Sequence, residues 1–289
     1  MSDQGNSANT ISYETFQAVL GRYDDSLEHA SARVSKAANK DSASLGSLKE
    51  LDDWRLNTLP EVLETREKDS KSTWLEKREV EDLVRWKLSH GTFRPKLTQL
   101  VASNSAATIK EVTQAGFDAY TKDPSDPAPS LKKLSQLSGI GPATASLLLS
   151  VYDQSRVAFF SDEAYRWILY LPEKGQGWDR PIKYTAKEYA TYLGGVRETR
   201  QRMKEESGRD VSAADIERVG YILGKEKATI VPGGEKRKQQ PEESRDDLRD
   251  SISPPPTKKI KALKAPNRKL TEDTKTRSSL RKSARLRDG

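Results

Sequence analysis

Residues 134–150, LSQLSGIGPATASLLLS, constrain the path of this chain more than any other stretch. Gly139 and Gly141 bracket Ile140, so the backbone can turn sharply where a Cβ would clash. Pro142 then falls at a first helical position, where its missing N–H costs nothing. Beyond it Ala145, Leu148, Leu149 and Tyr152 recur at helical spacing. Two helices joined by such a turn direct unpaired N–H groups and a helix N-terminus outward, a geometry that suits a phosphate.

The surroundings of this turn read as helical on both sides. In residues 13–36, Phe16, Val19, Leu20, Tyr23 and Leu27 keep a three-to-four spacing that predicts one amphipathic helix. Leu48, Leu51 and Trp54 begin another stripe, and Pro60 marks a fresh helix start before Val62 and Leu63. Thr73, Trp74, Leu75 and Glu76 have capping-box form and open a helix through Val80, Leu83, Val84 and Leu88, broken by Gly91 and Pro95. Ser105 is placed to cap a helix through Ile109, Val112 and Tyr120, and Ser130 to cap the helix that enters the glycine turn. Residues 157–160 are a short apolar run that should cross the core, and Ser161 is an N-cap for a helix over 162–171. Thr185 with Glu188, and Ser212 with Asp215, form two further capping boxes, the last helix ending at Gly224. No stretch alternates as a strand does, so the expected fold class is all-α. Residues 1–12 read as a disordered lead, 13–230 as one helical domain and 231–289 as a disordered tail.

The turn also carries a resemblance. LSGIGPATAS at 137–146 resembles a helix-hairpin-helix signature, and residues 134–166 resemble the core of the helix-hairpin-helix DNA glycosylases, the endonuclease III-like superfamily. Leu137, Gly139, Ile140, Gly141, Thr144 and Ala145 match that pattern, Ser138 replaces its usual proline, and Asp162 stands where the catalytic aspartate is expected. The resemblance implies a helical domain whose Gly139, Ile140, Gly141, Ala143 and Thr144 hold a DNA phosphate without reading sequence. It implies that Asp162, or Glu163 if the loop is shifted by one residue, activates water or stabilises an oxocarbenium ion during N-glycosidic cleavage. A carboxylate in a first helical turn is also stabilised by the helix dipole alone, which needs no catalysis.

Ala143 departs from the pattern. It occupies the place of the lysine that lyase-competent members use, and alanine offers no amine for a Schiff base. Lys132 and Lys133 lie on the preceding helix and are poor substitutes. The expected function is therefore a DNA- or chromatin-associated protein with a glycosylase-like fold and no catalysis of its own. The alternative is a monofunctional base-excision glycosylase that uses Asp162. Such an enzyme needs an aromatic pocket for an extruded base. Trp86, Phe159, Phe160, Tyr165 and Trp167 are candidates for that lining, each equally suited to a helical core.

Composition narrows the remaining classes. The 289 residues contain no cysteine, which excludes a disulfide framework, a thiolate metal site and the iron–sulfur cluster of some endonuclease III relatives. Two histidines, His29 and His90, cannot build a histidine-rich metal site, and no metal or cofactor is expected. No apolar run approaches membrane-spanning length, and the polar start is not a secretory signal, so a soluble intracellular protein is expected. Charge divides unevenly: residues 232–289 hold 17 basic and 9 acidic residues, leaving 33 and 34 for residues 1–231. The positive excess thus sits in the tail, in clusters around Lys258, Lys259, Lys261 and Lys264 and around Arg281, Lys282, Arg285 and Arg287. Such clusters resemble nuclear localisation signals, implying a nuclear protein recognised by the import machinery. They also attract nucleic-acid phosphates without sequence preference.

Overall fold

The computed structural model describes residues 6–37, 47–92, 94–171, 174–175 and 177–227. The tail and its two basic clusters lie outside the described residues. Among the described residues there are helices and turns but no β-strand, so the domain is all-α. Twelve α-helices follow in order: α1 Tyr13–Leu20, α2 Tyr23–Ala37, α3 Leu48–Asp53, α4 Leu59–Ser70, α5 Lys77–His90 and α6 Pro95–Ala102. They continue as α7 Ala106–Lys122, α8 Ala128–Leu134, α9 Pro142–Ser150, α10 Asp162–Ile168, α11 Ala186–Ser207 and α12 Ala213–Lys225.

Helix starts follow local hydrogen bonding where the capping signals are strong. Ser105, Ser161, Thr185 and Ser212 all cap as expected, each side chain accepting from the backbone N–H three residues on. Two other assignments move. The cap of α5 is Glu76, whose N–H donates to Glu79 Oε2 at 2.8 Å, while Thr73 is buried and donates to the Leu63 carbonyl. Ser130 lies inside α8, and Asp126 instead accepts from the Ala128 N–H at 3.0 Å. In both places a second acceptor close in sequence outcompetes the first. Gly224 likewise lies inside α12, which runs on to Lys225.

Pro60 falls at the start of α4 as expected, but that helix is continuous with the one before it. α3 passes into α4 through a π-helical segment, Trp54–Thr58, and Pro60 lies in the first turn of α4. Proline has no N–H for the carbonyls four and five residues before it, those of Leu56 and Arg55. Gln154 supplies the missing donor: its Nε2 lies 2.9 Å from the Leu56 oxygen and 3.3 Å from that of Arg55. The helical stripe of residues 13–36 is also divided, by a turn at Gly21 and Arg22 that the apolar spacing does not reveal. The chain before it is packed sooner than its polarity suggests. Ile11 is fully buried, and the Asn6 carbonyl accepts from the Trp167 indole at 2.7 Å.

The core beneath the N- and C-terminal helices contains charge. Arg55 is buried beside Asp52 at 3.2 Å and Glu217 at 3.6 Å, and its guanidinium lies 3.8 Å from the Trp86 ring centre. Asp52 Oδ1 also accepts from the Tyr23 hydroxyl at 3.1 Å and the Trp86 indole at 2.8 Å. Burial pulls the Arg55 pKa down, but Asp52 and Glu217 more than offset it, and the guanidinium stays charged. Glu217 is raised to about 7 by its own burial, against the attraction of Arg55.

Two expectations follow. Gln154→Ala leaves the two carbonyls without their donor and should destabilise the fold by about 1–2 kcal/mol. Adding Pro60→Ala should recover part of that loss, a coupling that denaturant unfolding of the single and double variants measures. Glu217 is the second case: its folded pKa of about 7 exceeds the ordinary 4.5, so its contribution is full below the ordinary value and lost as pH rises through 7. Glu217→Gln should therefore gain in melting temperature relative to wild type between pH 5 and 8. His90 titrates in the opposite sense in both proteins and cancels in the comparison. A constant difference across that range contradicts the assignment.

Candidate nucleic-acid interface and adjoining cleft

The glycine turn occupies residues 135–141 between α8 and α9. Leu134, Leu137 and Ile140 anchor it in the core, and the Ile140 N–H closes a tight turn onto the Leu137 carbonyl at 3.0 Å. Ile140 therefore offers neither a free amide nor an exposed side chain, contrary to its expected part in phosphate binding. Gly139 has φ +80°, and a Cβ there would lie 3.0 Å from Leu100 Cβ and 3.1 Å from Val101 Cγ2. Only glycine fits both the backbone and the approach of α6.

Side chains clamp the turn from both ends. Asn104 Oδ1 accepts from the Ser138 N–H at 2.9 Å, and its Nδ2 donates to the Ser138 carbonyl at 3.1 Å. Ser146 Oγ donates to the Ala143 carbonyl and accepts from the Phe160 N–H, both at 2.9 Å. The N–H groups of Gly139, Gly141, Ala143 and Thr144 meet no acceptor among the described residues. Gly141 is exposed at the tip, with open space where a Cβ would stand. Four unused donors thus sit on one rigid turn.

The Ser146 bridge connects this turn to the apolar run at 157–160. That run crosses the core as expected, its carbonyls at Ala158 and Phe159 taking the hydroxyls of Tyr189 and Tyr192 on α11. Directly after it comes α10, seated against α12. The approach is close enough that a Cβ on Gly220 would fall 2.6 Å from Ala164 Cα. This seat fixes the two carboxylates at the start of α10. Glu163 pairs with Lys225 of α12 at 2.7 Å. Asp162 accepts from the Tyr184 hydroxyl at 2.8 Å and lies 3.9 Å from Arg166. The two acids therefore have different partners, although both line the same polar cleft.

That cleft has a volume of about 100 Å³. Asp162, Tyr184, Lys87, His90 and Arg94 line it, together with Phe159, Phe160 and the Glu163–Lys225 pair. Tyr184 has φ +55°, a conformation rare outside glycine, and it is this conformation that accompanies the hydroxyl's placement on Asp162. Burial, then the Asp162 hydrogen bond, push the Tyr184 hydroxyl up to about 12, so it remains a donor. Arg94 lies 5.4 Å over the Tyr184 ring. Loss of hydration, then the nearby Arg94 cation, lower the Lys87 pKa against the attraction of Asp162. His90 is stacked between Trp86 and Tyr221, with ring centres 4.5 and 3.9 Å away. Burial and then the Arg55 cation hold it neutral, well below the ordinary histidine range.

The aromatic candidates are mostly core. Trp86, Tyr165 and Trp167 are buried away from this cleft, and the Trp86 and Trp167 indoles are spent on Asp52 and the Asn6 carbonyl. Only Phe159 and Phe160 border the cleft, and each is at least 95% buried. Lys87, Arg94 and Tyr184 escaped sequence reasoning, because each lies in an ordinary polar position of a helix or loop. Among the described residues no group of acids and histidines could hold a metal ion, and no helix is long and apolar enough to cross a membrane. A larger depression of about 450 Å³ lies elsewhere, rimmed by Glu61, Glu64, Glu67 and Asp153. Its charge is wrong for a polyanion. No protein-family model, curated protein or solved structure matches the chain.

Proposed function

We propose that this chain is a DNA-binding protein that grips the phosphate backbone through the amides of Gly139, Gly141, Ala143 and Thr144, without base readout and without excising bases. The observation that carries this reading is the set of four unused N–H groups on a turn held rigid by Asn104 and Ser146. Oriented backbone donors at a helix start bind a phosphate oxygen at no cost in side-chain ordering. The near-neutral charge of residues 1–231 means that the tail supplies the long-range attraction. The same basic clusters at Lys258–264 and Arg281–287 support a nuclear location and recognition by import factors.

A second reading, base excision by a monofunctional glycosylase, is favoured by one observation: the Asp162 carboxylate faces a cleft. The cleft's volume of about 100 Å³ speaks against it. Ligand pockets usually measure about 300 Å³ or more, and an extruded base needs an apolar slot that the buried aromatics do not form.

Gly141→Asp separates binding from folding. Gly141 caps α9 without a side chain, and a Cβ there meets nothing, so an aspartate should cap the helix and leave stability equal or a few tenths of a kcal/mol higher. Its carboxylate would occupy the Ala143 and Thr144 amides and repel phosphate. Affinity of the full chain for an undamaged duplex, read by fluorescence anisotropy, should fall about tenfold, the loss of one charge-assisted contact. Unchanged affinity rejects the hairpin as the grip. For the second reading, alkali-revealed strand breaks in duplexes carrying uracil, alkylated bases or mismatches should be absent from wild type. Breaks that vanish in Asp162→Asn would establish base excision instead.

A further inference from the structure

The acid-rimmed depression beside α4 has no part in either reading, and its make-up suits a cation. Its volume of about 450 Å³ lies within the range of ligand pockets, unlike that of the cleft beside Asp162. Four carboxylates line it, Glu61, Glu64, Glu67 and Asp153, against a single cation among its lining residues, Arg156. Glu61, Glu64 and Glu67 recur at every third position of α4, so they stand along one side of that helix. Glu64 also holds Lys68 at 2.6 Å, an exposed pair that an incoming cation can replace at small cost.

Charge alone does not define a site, but the aromatic floor beneath these acids does. Tyr152 stacks flat on Phe117, with ring centres 4.7 Å apart and planes within 10°, and meets the Tyr120 ring edge-on at 6.1 Å. The Tyr152 hydroxyl donates to Glu67 at 3.3 Å, and the Tyr120 hydroxyl donates to Asp153 at 2.7 Å. Both rings are thus held by acids of the depression itself. Tyr152 is only partly buried, and Phe117 covers one of its two faces. An aromatic face flanked by carboxylates attracts an ammonium twice over, through the ring quadrupole and through net charge.

The outline of the site favours an extended ligand. A second depression, of about 330 Å³, shares Glu67, Thr121 and Tyr152 with the first and continues past Asp118 to Lys71 and Lys122. Within it the Ser72 hydroxyl oxygen is buried and meets no hydrogen-bond partner among the described residues. Such an orphaned hydroxyl suits a ligand that brings backbone carbonyls as well as charge. Two lobes joined at Tyr152 fit a peptide better than a compact ion. We propose that this groove binds a lysine-rich segment of another protein, with one lysine ammonium seated against Tyr152 among Glu61, Glu64 and Glu67. The segment's backbone then follows α4 and α7 toward Ser72. None of the turn amides lines this groove, so the site is independent of the DNA-binding reading.

The test uses the full chain and a labelled peptide of alternating lysine and glycine, with a glutamate–glycine peptide as control, read by fluorescence anisotropy. Wild type should bind the lysine peptide, less tightly as salt rises, and should not bind the glutamate peptide. Glu61→Gln with Glu64→Gln changes two exposed side chains, so the melting temperature should hold while affinity falls about fivefold. Glu111→Gln with Glu198→Gln removes the same charge from exposed positions outside the groove and should leave affinity unchanged. Tyr152→Leu should also cost about fivefold, and Tyr152→Phe, which keeps the ring, much less. Should Tyr152→Leu unfold, the two paired glutamine variants decide alone. Absence of lysine-peptide binding overturns the proposal, and so does an equal loss in both paired variants, which would mark diffuse attraction. Self-association of the full chain that Glu61→Gln with Glu64→Gln abolishes, without peptide binding, overturns it in favour of a second copy as the occupant.

Discussion

The buried guanidinium of Arg55 is the constraint on which the rest of the domain depends. An isolated cation cannot be taken from water without compensation, so the fold must bring Asp52, Glu217 and the face of Trp86 around it. These partners come from α3, α12 and α5, and Tyr23 of α2 completes the set through Asp52. Removing one member of such a cluster strands the others, a loss of about 3–5 kcal/mol. The two ends of the described chain are thereby locked in one register, with few alternatives available to α12.

That register reaches the surface at the cleft. Trp86 presses on His90, His90 on Tyr221, and α12 in turn seats α10 through the close contact at Gly220. The positions of Asp162 and Glu163 are consequences of this stack. A cation buried in the core also explains why His90 stays neutral, since a second positive charge near Arg55 would be repelled. The cleft is therefore lined by one neutral ring, His90, and by the half-buried Lys87 beside Asp162.

Most of the helices were legible from residue spacing because both periodicity and capping are local. Ser161, Thr185 and Ser212 each satisfy a donor three residues away, and no distant residue alters that choice. The misplacements share a cause. Thr73 and Ser130 had the right residue type, but Glu76 took the cap of α5, and Asp126, one residue before the Pro127 cap of α8, accepts from the Ala128 N–H. Pro60 marks the start of α4, but the continuity of that helix with α3 was not legible, because the hydrogen bond proline lacks is replaced by Gln154, nearly a hundred residues away in sequence. The packing of Asn6 and Ile11 depends on Trp167 and its neighbours, which no local pattern in a polar lead reveals.

The sequence by itself determined the all-α class, the glycine turn between two helices, and the seat of Asp162 one residue after a serine cap. Each is a matter of backbone sterics and of hydrogen bonds that close within a few residues. The tertiary structure alone decided that Ile140 turns inward, that Glu163 is consumed by Lys225, and that Asp162 shares a cleft with Tyr184, Arg94 and Lys87. Those outcomes follow from which charges can be buried together and which helices can touch. Such terms join residues far apart in the chain and leave no mark on its spacing.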